Sequence, residues 1–328
     1  MEHDITGRLR AIYVGTDCSG MEAPLVALRQ LGIRFKHRFS CENDRHARTV
    51  LRANFAPDIL YRDIRARSVC NSPEVDLYVA GFPCQSFSSA GHRMGFVDAR
   101  GTIFADIFAY IARKEPRAFI LENVVGLLHV QGGQCFATII DALTRLRIYN
   151  IYWQKLNASD YGVPQHRPRI FIVGILKVWD IGFSFPQPIK CRDIQHFLSP
   201  RVGRPSWANM PLSNVARTNV MRGLEAILSI GRDPFREPWF INCGSSPERS
   251  NIRLGVTMCL TRSRPHGHWI TNRGRYMNVE ELMRLQGFPS SYRWPVTPLQ
   301  CGQLLGNSMC VDVLVHLLRQ VLLAAQLD

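Results

Sequence analysis

Residues 76–91 read DLYVAGFPCQSFSSAG, an apolar run of strand length that stops at Pro83-Cys84 and gives way to a polar, glycine-bounded loop over 84–101. A strand that ends on proline and opens into Ser and Gly presents whatever stands at its carboxyl end. Working outward, the same rhythm recurs on both sides. Upstream lie IYVGT (12–16), an apolar-periodic helix over about 21–31, RFSCEN (38–43), a helix over about 44–54, and a weak strand, ILYRDI (59–64). Downstream, a helix over about 102–113 leads to AFILENV (118–124), a helix near 134–146, then IYWQKLN (151–157) and RIFIVGIL (169–176). Strands alternating with helices predict an α/β fold, a doubly wound and mostly parallel sheet. In such sheets ligands sit at the carboxyl ends of the strands, and the polar clusters of this chain fall there.

From 177 to 271 the pattern dissolves into Pro, Gly, Ser and Asn, and this window holds 13 Lys+Arg against 6 Asp+Glu. Helical periodicity returns at VEELMRLQGF (279–288) and VDVLVHLLRQVLLAAQ (311–326). The expected organisation is therefore a catalytic α/β domain over 1–176, a smaller irregular basic domain over 177–271, and a return to the first domain over 272–328. Across all 328 residues the net charge is +14, and only five of the 40 basic residues are Lys. Arg forks match phosphate oxygens and the guanine edge, so an Arg-heavy surface suits nucleic acid; GC-rich coding is the plainer source of the same bias. At 46% hydrophobic and 20% charged residues the chain is ordinary for a folded soluble protein. No apolar run approaches the ~20 residues of a membrane span, and the start lacks a secretion signal, so a soluble intracellular protein is expected. Ten cysteines are scattered without a CxxC pair, which argues against a zinc site and against a disulfide framework.

One cysteine stands apart. Cys84, at a strand end before a Ser- and Gly-rich loop, has the placement of a nucleophile beneath a closing lid. Glu122-Asn123 closes the next strand, and neighbouring parallel strand ends lie ~5 Å apart, so Glu122 is expected to share the cleft. Gln165, Arg167 and Arg169 alternate along PQHRPR and are expected on one face.

The order Pro83-Cys84-Gln85, Glu122-Asn123-Val124, Gln165-x-Arg167-x-Arg169, followed by RYMNVEELMRLQGFPSSY (275–292) and LLGNSM (304–309), resembles the cytosine-C5 DNA methyltransferase family. The resemblance spans about 11–176 and 272–323, in the family's order. It implies a Rossmann-like catalytic domain with a target-recognition domain inserted over 177–271. It further implies S-adenosyl-L-methionine as methyl donor, double-stranded DNA as partner, a monomer without metal, and residence wherever the DNA is, bacterial cytoplasm or nucleus.

Cys84 then matches the thiolate that attacks cytosine C6, Glu122 the group at N3, and Arg169, with Arg167 close by, the holder of O2. Gln85, Ser88, Arg93, Asn123 and Gln165 fall at substrate-contacting positions, Ser88 and Arg93 as phosphate contacts. Cys18, Ser19, Gly20 and Met21 align with the Gly-rich cofactor turn, keeping Gly20 while the aromatic and the paired glycines are missing. Glu42-Asn43 matches the ribose-binding acid, Asp63-Ile64 the adenine reader, Pro83 and Asn307-Ser308 further cofactor contacts. Trp207, Trp239 and Trp269 read as local core rather than base-stacking platforms, and His266 and His268, without a cysteine partner at zinc spacing, as structural or phosphate-facing. Two alternatives stay open: tRNA cytosine methylation, whose branch carries a Cys-Phe-Thr motif that this chain lacks, and a silent DNA-binding scaffold, which would have no need of Cys84, Glu122 and Arg169 together.

Overall fold

The computed structural model describes residues 11–83, 103–203 and 209–328. They fall into two compact units. The first contains the chain through Leu156, Pro168–Gln187 and Val313–Asp328; the second contains Asn157–Arg167 and Pro188–Asp312. The second unit thus takes in residues 272–312 as well as most of the basic insert.

In the first unit, seven strands form one sheet: β1 (Ile12–Asp17), β2 (Phe35–Cys41), β3 (Ile59–Tyr61), β4 (Leu77–Gly81), β5 (Ala118–Val124), β6 (Tyr149–Asn157) and β7 (Pro168–Leu176). Their order is β3-β2-β1-β4-β5-β7-β6. The pairs β2–β3, β1–β2, β1–β4 and β4–β5 are parallel, and β5–β7 is antiparallel. The sheet is therefore mixed but mostly parallel. Chain order reverses between β1 and β4, so their carboxyl ends flank the crevice where doubly wound folds hold ligands. The central strands are apolar on both faces because helices cover both, which is why 77–81 and 118–124 read as continuous hydrophobic runs.

The helices are α1 (Ala23–Gln30), α2 (Arg45–Asn54), α3 (Ile103–Lys114), α4 (Gln134–Arg145) and, at the chain's end, α8 (Val311–Ala324). α2 starts where Asp44 accepts from the backbone of His46 and Ala47. Tyr78, Phe39, Tyr110 and Phe119 are fully buried in one core cluster. Gly15 is fixed by this packing: a Cβ there would stand 2.3 Å from the Phe39 ring, beside a register shift at Val14/Gly15.

The second unit holds a four-stranded antiparallel sheet built from β8 (Trp239–Ile241), β9 (Ile252–Leu254), β10 (Trp269–Ile270) and β11 (Arg275–Tyr276). It also holds α5 (Asn214–Ser229), α6 (Val279–Leu285) and α7 (Pro298–Asn307). α6 and α7 open on capping boxes, Asn278 with Glu281 and Thr297 with Gln300.

Two local expectations are corrected. The strand expected to reach residue 64 stops at Tyr61, because the Asp63 carboxylate accepts from Arg65 N at 3.0 Å and turns Ile64–Ala66 into a 3₁₀ helix. The insert, expected to be irregular, contains the 16-residue helix α5. Trp239, Trp269 and His268 are buried, as local structure requires; Trp207 lies outside the described residues.

Candidate active site

The crevice at the β1/β4 switch is framed first by the turn that leaves β1. Its residues alternate in sense: Cys18, Gly20 and Glu22 all have positive φ, 52°, 53° and 56°. Ser19 locks the turn to β2, its Oγ receiving Cys41 N at 3.2 Å and lying 2.7 Å from Thr16 Oγ1. Met21, an expected cofactor contact, buries its side chain in the core, which leaves only its backbone at the turn. Gly20 is different: nothing lies within 4 Å of where its Cβ would be, so the backbone faces open space. Its N–H donates to Glu42 Oε2 at 2.7 Å, and Glu42 Oε1 accepts from Asp44 N at 2.8 Å. Burial pushes the Glu42 carboxyl up, against the pull of those backbone donors. Asn43 is exposed, as is Asp63, while Ile64 is buried beside it. An open glycine backbone, a buried carboxylate and an apolar side chain with an adjacent acid fit an adenosyl group with its ribose hydroxyls.

A buried ion pair holds this arrangement and was not foreseen. Asp17, the last residue of β1, accepts from Arg67 Nη1 and Nη2 at 2.7 Å each, and from the Tyr78 hydroxyl at 2.5 Å. The Arg67 guanidinium lies 5.0, 5.7 and 5.0 Å from the ring centres of Phe39, Tyr61 and Tyr110. Removing one member of such a pair costs about 3–5 kcal/mol, so Arg67 anchors the Asp63-Ile64 turn to β1. An acid ending a buried strand signals that a partner exists, but its position 50 residues on is not written in one sequence.

The other side of the crevice is formed by β4 and β5. Gly81 and Glu122 are register partners, so the chain leaves β4 alongside Glu122. Asn123, 3% exposed, donates from Nδ2 to Phe82 O at 2.9 Å and thereby fixes the residue pair Phe82-Pro83 that precedes Cys84. Arg169 lies opposite Val124 in the antiparallel β5–β7 pair, which places it diagonal to Glu122 on the same face. Its Nε is 3.1 Å from Glu122 Oε1, with both side chains largely buried. Cys84, Gln85, Ser88 and Arg93 lie outside the described residues.

The three alternating residues of PQHRPR part company. Arg169 belongs to β7, whereas Gln165 and Arg167 are interior residues of the second unit. Gln165 Oε1 accepts from Leu260 N at 3.1 Å, and Arg167 Nη1 donates to Leu260 O at 2.7 Å, so both grip one residue. Arg167 Nη2 also donates to Gly306 O and Ser308 O, at 3.2 and 2.5 Å. The structure gives Arg167 and Gln165 buried backbone partners where a base-facing role was expected of them. Asn307 and Ser308 end α7 in the second unit, Asn307 exposed and Ser308 buried. A cavity of about 610 Å³ lined by Tyr13, Asp76, Lys114 and Arg117 opens at the opposite, amino-terminal ends of β1, β4 and β5.

A Rossmann-like sheet with an open glycine turn at its switch point and an acid–arginine pair on the adjoining strands defines the class: a doubly wound α/β protein whose polar clusters gather at the strand ends. Sequence comparison makes it specific. The chain belongs to the C-5 cytosine-specific DNA methylase family, which it matches over residues 18–322. It is 34% identical to the Type II methyltransferase M.HaeII of Haemophilus aegyptius, over 85% of this chain and 83% of that protein. It is likewise 34% identical to M.NgoBI of Neisseria gonorrhoeae, over 84% and 83% of the respective chains. In fold it is similar to the S. pombe Dnmt2 methyltransferase, with a TM-score of 0.67 at 19% identity, covering 95% of this chain and 98% of that one. It is also similar to the Entamoeba histolytica methyltransferase EhMeth, with a TM-score of 0.63 at 17% identity, covering 95% and 98%.

Proposed function

We propose that this protein methylates C5 of cytosine in double-stranded DNA, with S-adenosyl-L-methionine as donor. The observation that carries the reading is the clamp at the end of β5: Asn123 holds Phe82 O, one residue before Pro83-Cys84, while Glu122 stands beside it paired with Arg169. Cytosine C5 is a weak nucleophile. The Cys84 thiolate adds to C6, forming an S–C bond and shifting electron density onto N3 and C5. Glu122 hydrogen-bonds N3 and the exocyclic amine, and Arg169 holds O2 as negative charge develops. The bound cofactor supplies the methyl group that C5 takes up. Loss of the C5 proton to a base then restores the double bond and expels Cys84 as thiolate. A base stacked in a duplex is out of reach, so the cytosine is flipped out, with Gln85, Ser88 and Arg93 as its proposed contacts.

For the cofactor, Glu42 and Asn43 would receive the ribose hydroxyls, Asp63-Ile64 the adenine, and the 18–21 turn with Pro83 and Asn307-Ser308 the rest. The basic insert, with 13 Lys+Arg to 6 Asp+Glu over 177–271, supplies phosphate contacts and base readout. The Type II names of the bacterial relatives support a modification enzyme acting on DNA in the cytoplasm. The test is transfer of labelled methyl from S-adenosyl-L-methionine to unmethylated duplex DNA and, in parallel, to tRNA, by wild type and Cys84→Ala. Label on DNA cytosines, lost with Cys84, is expected. Label on tRNA alone moves the substrate, and label retained by Cys84→Ala removes the nucleophile.

A further inference from the structure

Glu22 is the residue in the first unit whose placement the proposed chemistry leaves unexplained. It is fully buried, it follows the cofactor turn directly, and its φ of 56° is one that a side-chain-bearing residue rarely adopts. It occupies the N-cap of α1, yet its carboxyl does not cap that helix. Instead the side chain turns inward to the strands beneath. Oε1 accepts from Thr16 Oγ1 on β1 at 2.8 Å and from Ser40 Oγ on β2 at 2.5 Å. Ser40 Oγ in turn lies 2.7 Å from His37 Nε2, and Thr16 Oγ1 lies 2.7 Å from Ser19 Oγ, so every hydroxyl of the cluster converges on one carboxyl oxygen. The second oxygen, Oε2, is buried with no hydrogen-bond partner.

We propose that Glu22 is a positioning residue for the cofactor: in its protonated form it clasps the 18–22 turn onto β1 and β2, and its ionisation loosens that turn and weakens binding of the adenosyl ligand. The inference rests on the cofactor reading above. An oxygen buried without a donor is tolerable on a neutral acid and costly on an anion, because a carboxylate shares its charge between both oxygens. Among the described residues, the titratable and charged neighbours do not offset it. From β2, His37 Nε2 stands 3.7 Å away, but burial holds this imidazole down to about 4, so it is neutral. Glu42, also on the β2 side, adds a like charge. Arg67, the cation that follows the Ile64–Ala66 turn, is engaged by Asp17 at the end of β1.

In agreement with that geometry, burial pushes Glu22 up to about 7, against the pull of the Ser40, Thr16 and Ser19 hydroxyls. Because the folded value lies above the ordinary 4.5, the contribution of the acid is whole below that value and is lost as pH rises through about 7. At Gly20 the turn meets open space, with its N–H held by Glu42. A clasp under the turn therefore sets ligand affinity without touching the ligand.

The experiment is titration calorimetry of S-adenosylhomocysteine onto the full chain at pH 6.0, 7.0 and 8.5, for wild type, Glu22→Gln and Glu22→Ala. Amide hydrogen exchange of residues 16–23 without ligand is followed in the same samples. Wild type is expected to bind roughly tenfold or more weakly at pH 8.5 than at 6.0, the cost of one unmet buried polar group. Turn exchange should speed up over the same interval beyond its intrinsic pH dependence. Glu22→Gln, a permanent stand-in for the neutral acid, should flatten both profiles near the acidic limit, while Glu22→Ala should be weak throughout. A Gln variant that keeps the wild-type pH profile, or an Ala variant that binds like wild type, overturns the clasp. Failure of wild type to bind at any pH overturns the cofactor reading itself, and the inference with it.

Discussion

The two units solve the problem of buried backbone in opposite ways. In the first, the ladders of a seven-stranded sheet pair backbone strand to strand, and the interior is filled by Phe39, Tyr78, Tyr110, Phe119 and their neighbours. In the second, the cluster around Val220, Leu224, Ile241 and Trp269 is small. Much of its interior is loop, and buried polar side chains take the place of the ladder. Arg167 and Gln165 grip Leu260, Gln286 Nε2 donates to Leu305 O at 2.5 Å, and Asn219 Nδ2 donates to Cys243 O and Ser245 O at 3.0 and 2.8 Å. A regular fold leaves polar side chains free for chemistry at strand ends. An irregular one consumes them for its own stability.

That contrast predicts where substitutions will be felt. The largest effect belongs to Cys84→Ala, which should reduce methyl transfer by roughly 10⁴-fold or more while duplex binding persists in a gel-shift assay. If Arg167 is scaffold, Arg167→Ala should instead lower unfolding stability by about 1–3 kcal/mol, with its carbonyl partners left unmet. Urea unfolding measures this, and an unchanged midpoint with lost turnover would return Arg167 to the chemistry and blur the division. Glu122→Gln, which keeps the shape and removes the charge, should slow single-turnover methylation by roughly 10²-fold, about 2.7 kcal/mol, and leave the urea midpoint nearly in place.

The same division governs what was legible in the sequence. Strands 77–81 and 118–124 announced themselves because a sheet covered on both faces needs continuous apolar runs. Glu122 stands out from its place at a strand end, and its pairing with Arg169 follows from register. The backbone partners of Arg167 were not legible, because alternation in an extended segment gives a face but not what that face meets. Asp17 with Arg67, and Glu22 with Thr16 and Ser40, stayed hidden since each closes over a chain separation that spacing rules do not reach. Helix α5 is the instructive miss. Its buried positions, 216, 219, 220, 223, 224 and 227, keep a helical period, but Asn219 and Gly223 occupy two of them and mask it.

Those two residues provide the smallest and most discriminating test. Gly223 is dictated by contact, since a Cβ there would stand 2.7 Å from Ile241 Cδ1 on β8. Asn219, 1% exposed, reaches past that contact to the two carbonyls of the 243–245 loop that no strand satisfies. Replacing it with Leu offers the apolar surface that α5's period asks for. If ordinary core burial were what α5 contributes, Asn219→Leu would be neutral or stabilising. If side-chain donors stand in for a ladder in this unit, the substitution should cost about 1–3 kcal/mol, because two buried carbonyls lose their donor. The matching change in the first unit, Ile139→Val on α4, removes one methylene from the main core and should cost about 0.5–1.5 kcal/mol with no polar group left unmet. Urea midpoints for the two variants, read side by side, decide it: Asn219→Leu as mild as Ile139→Val would mean that the second unit is held by packing after all.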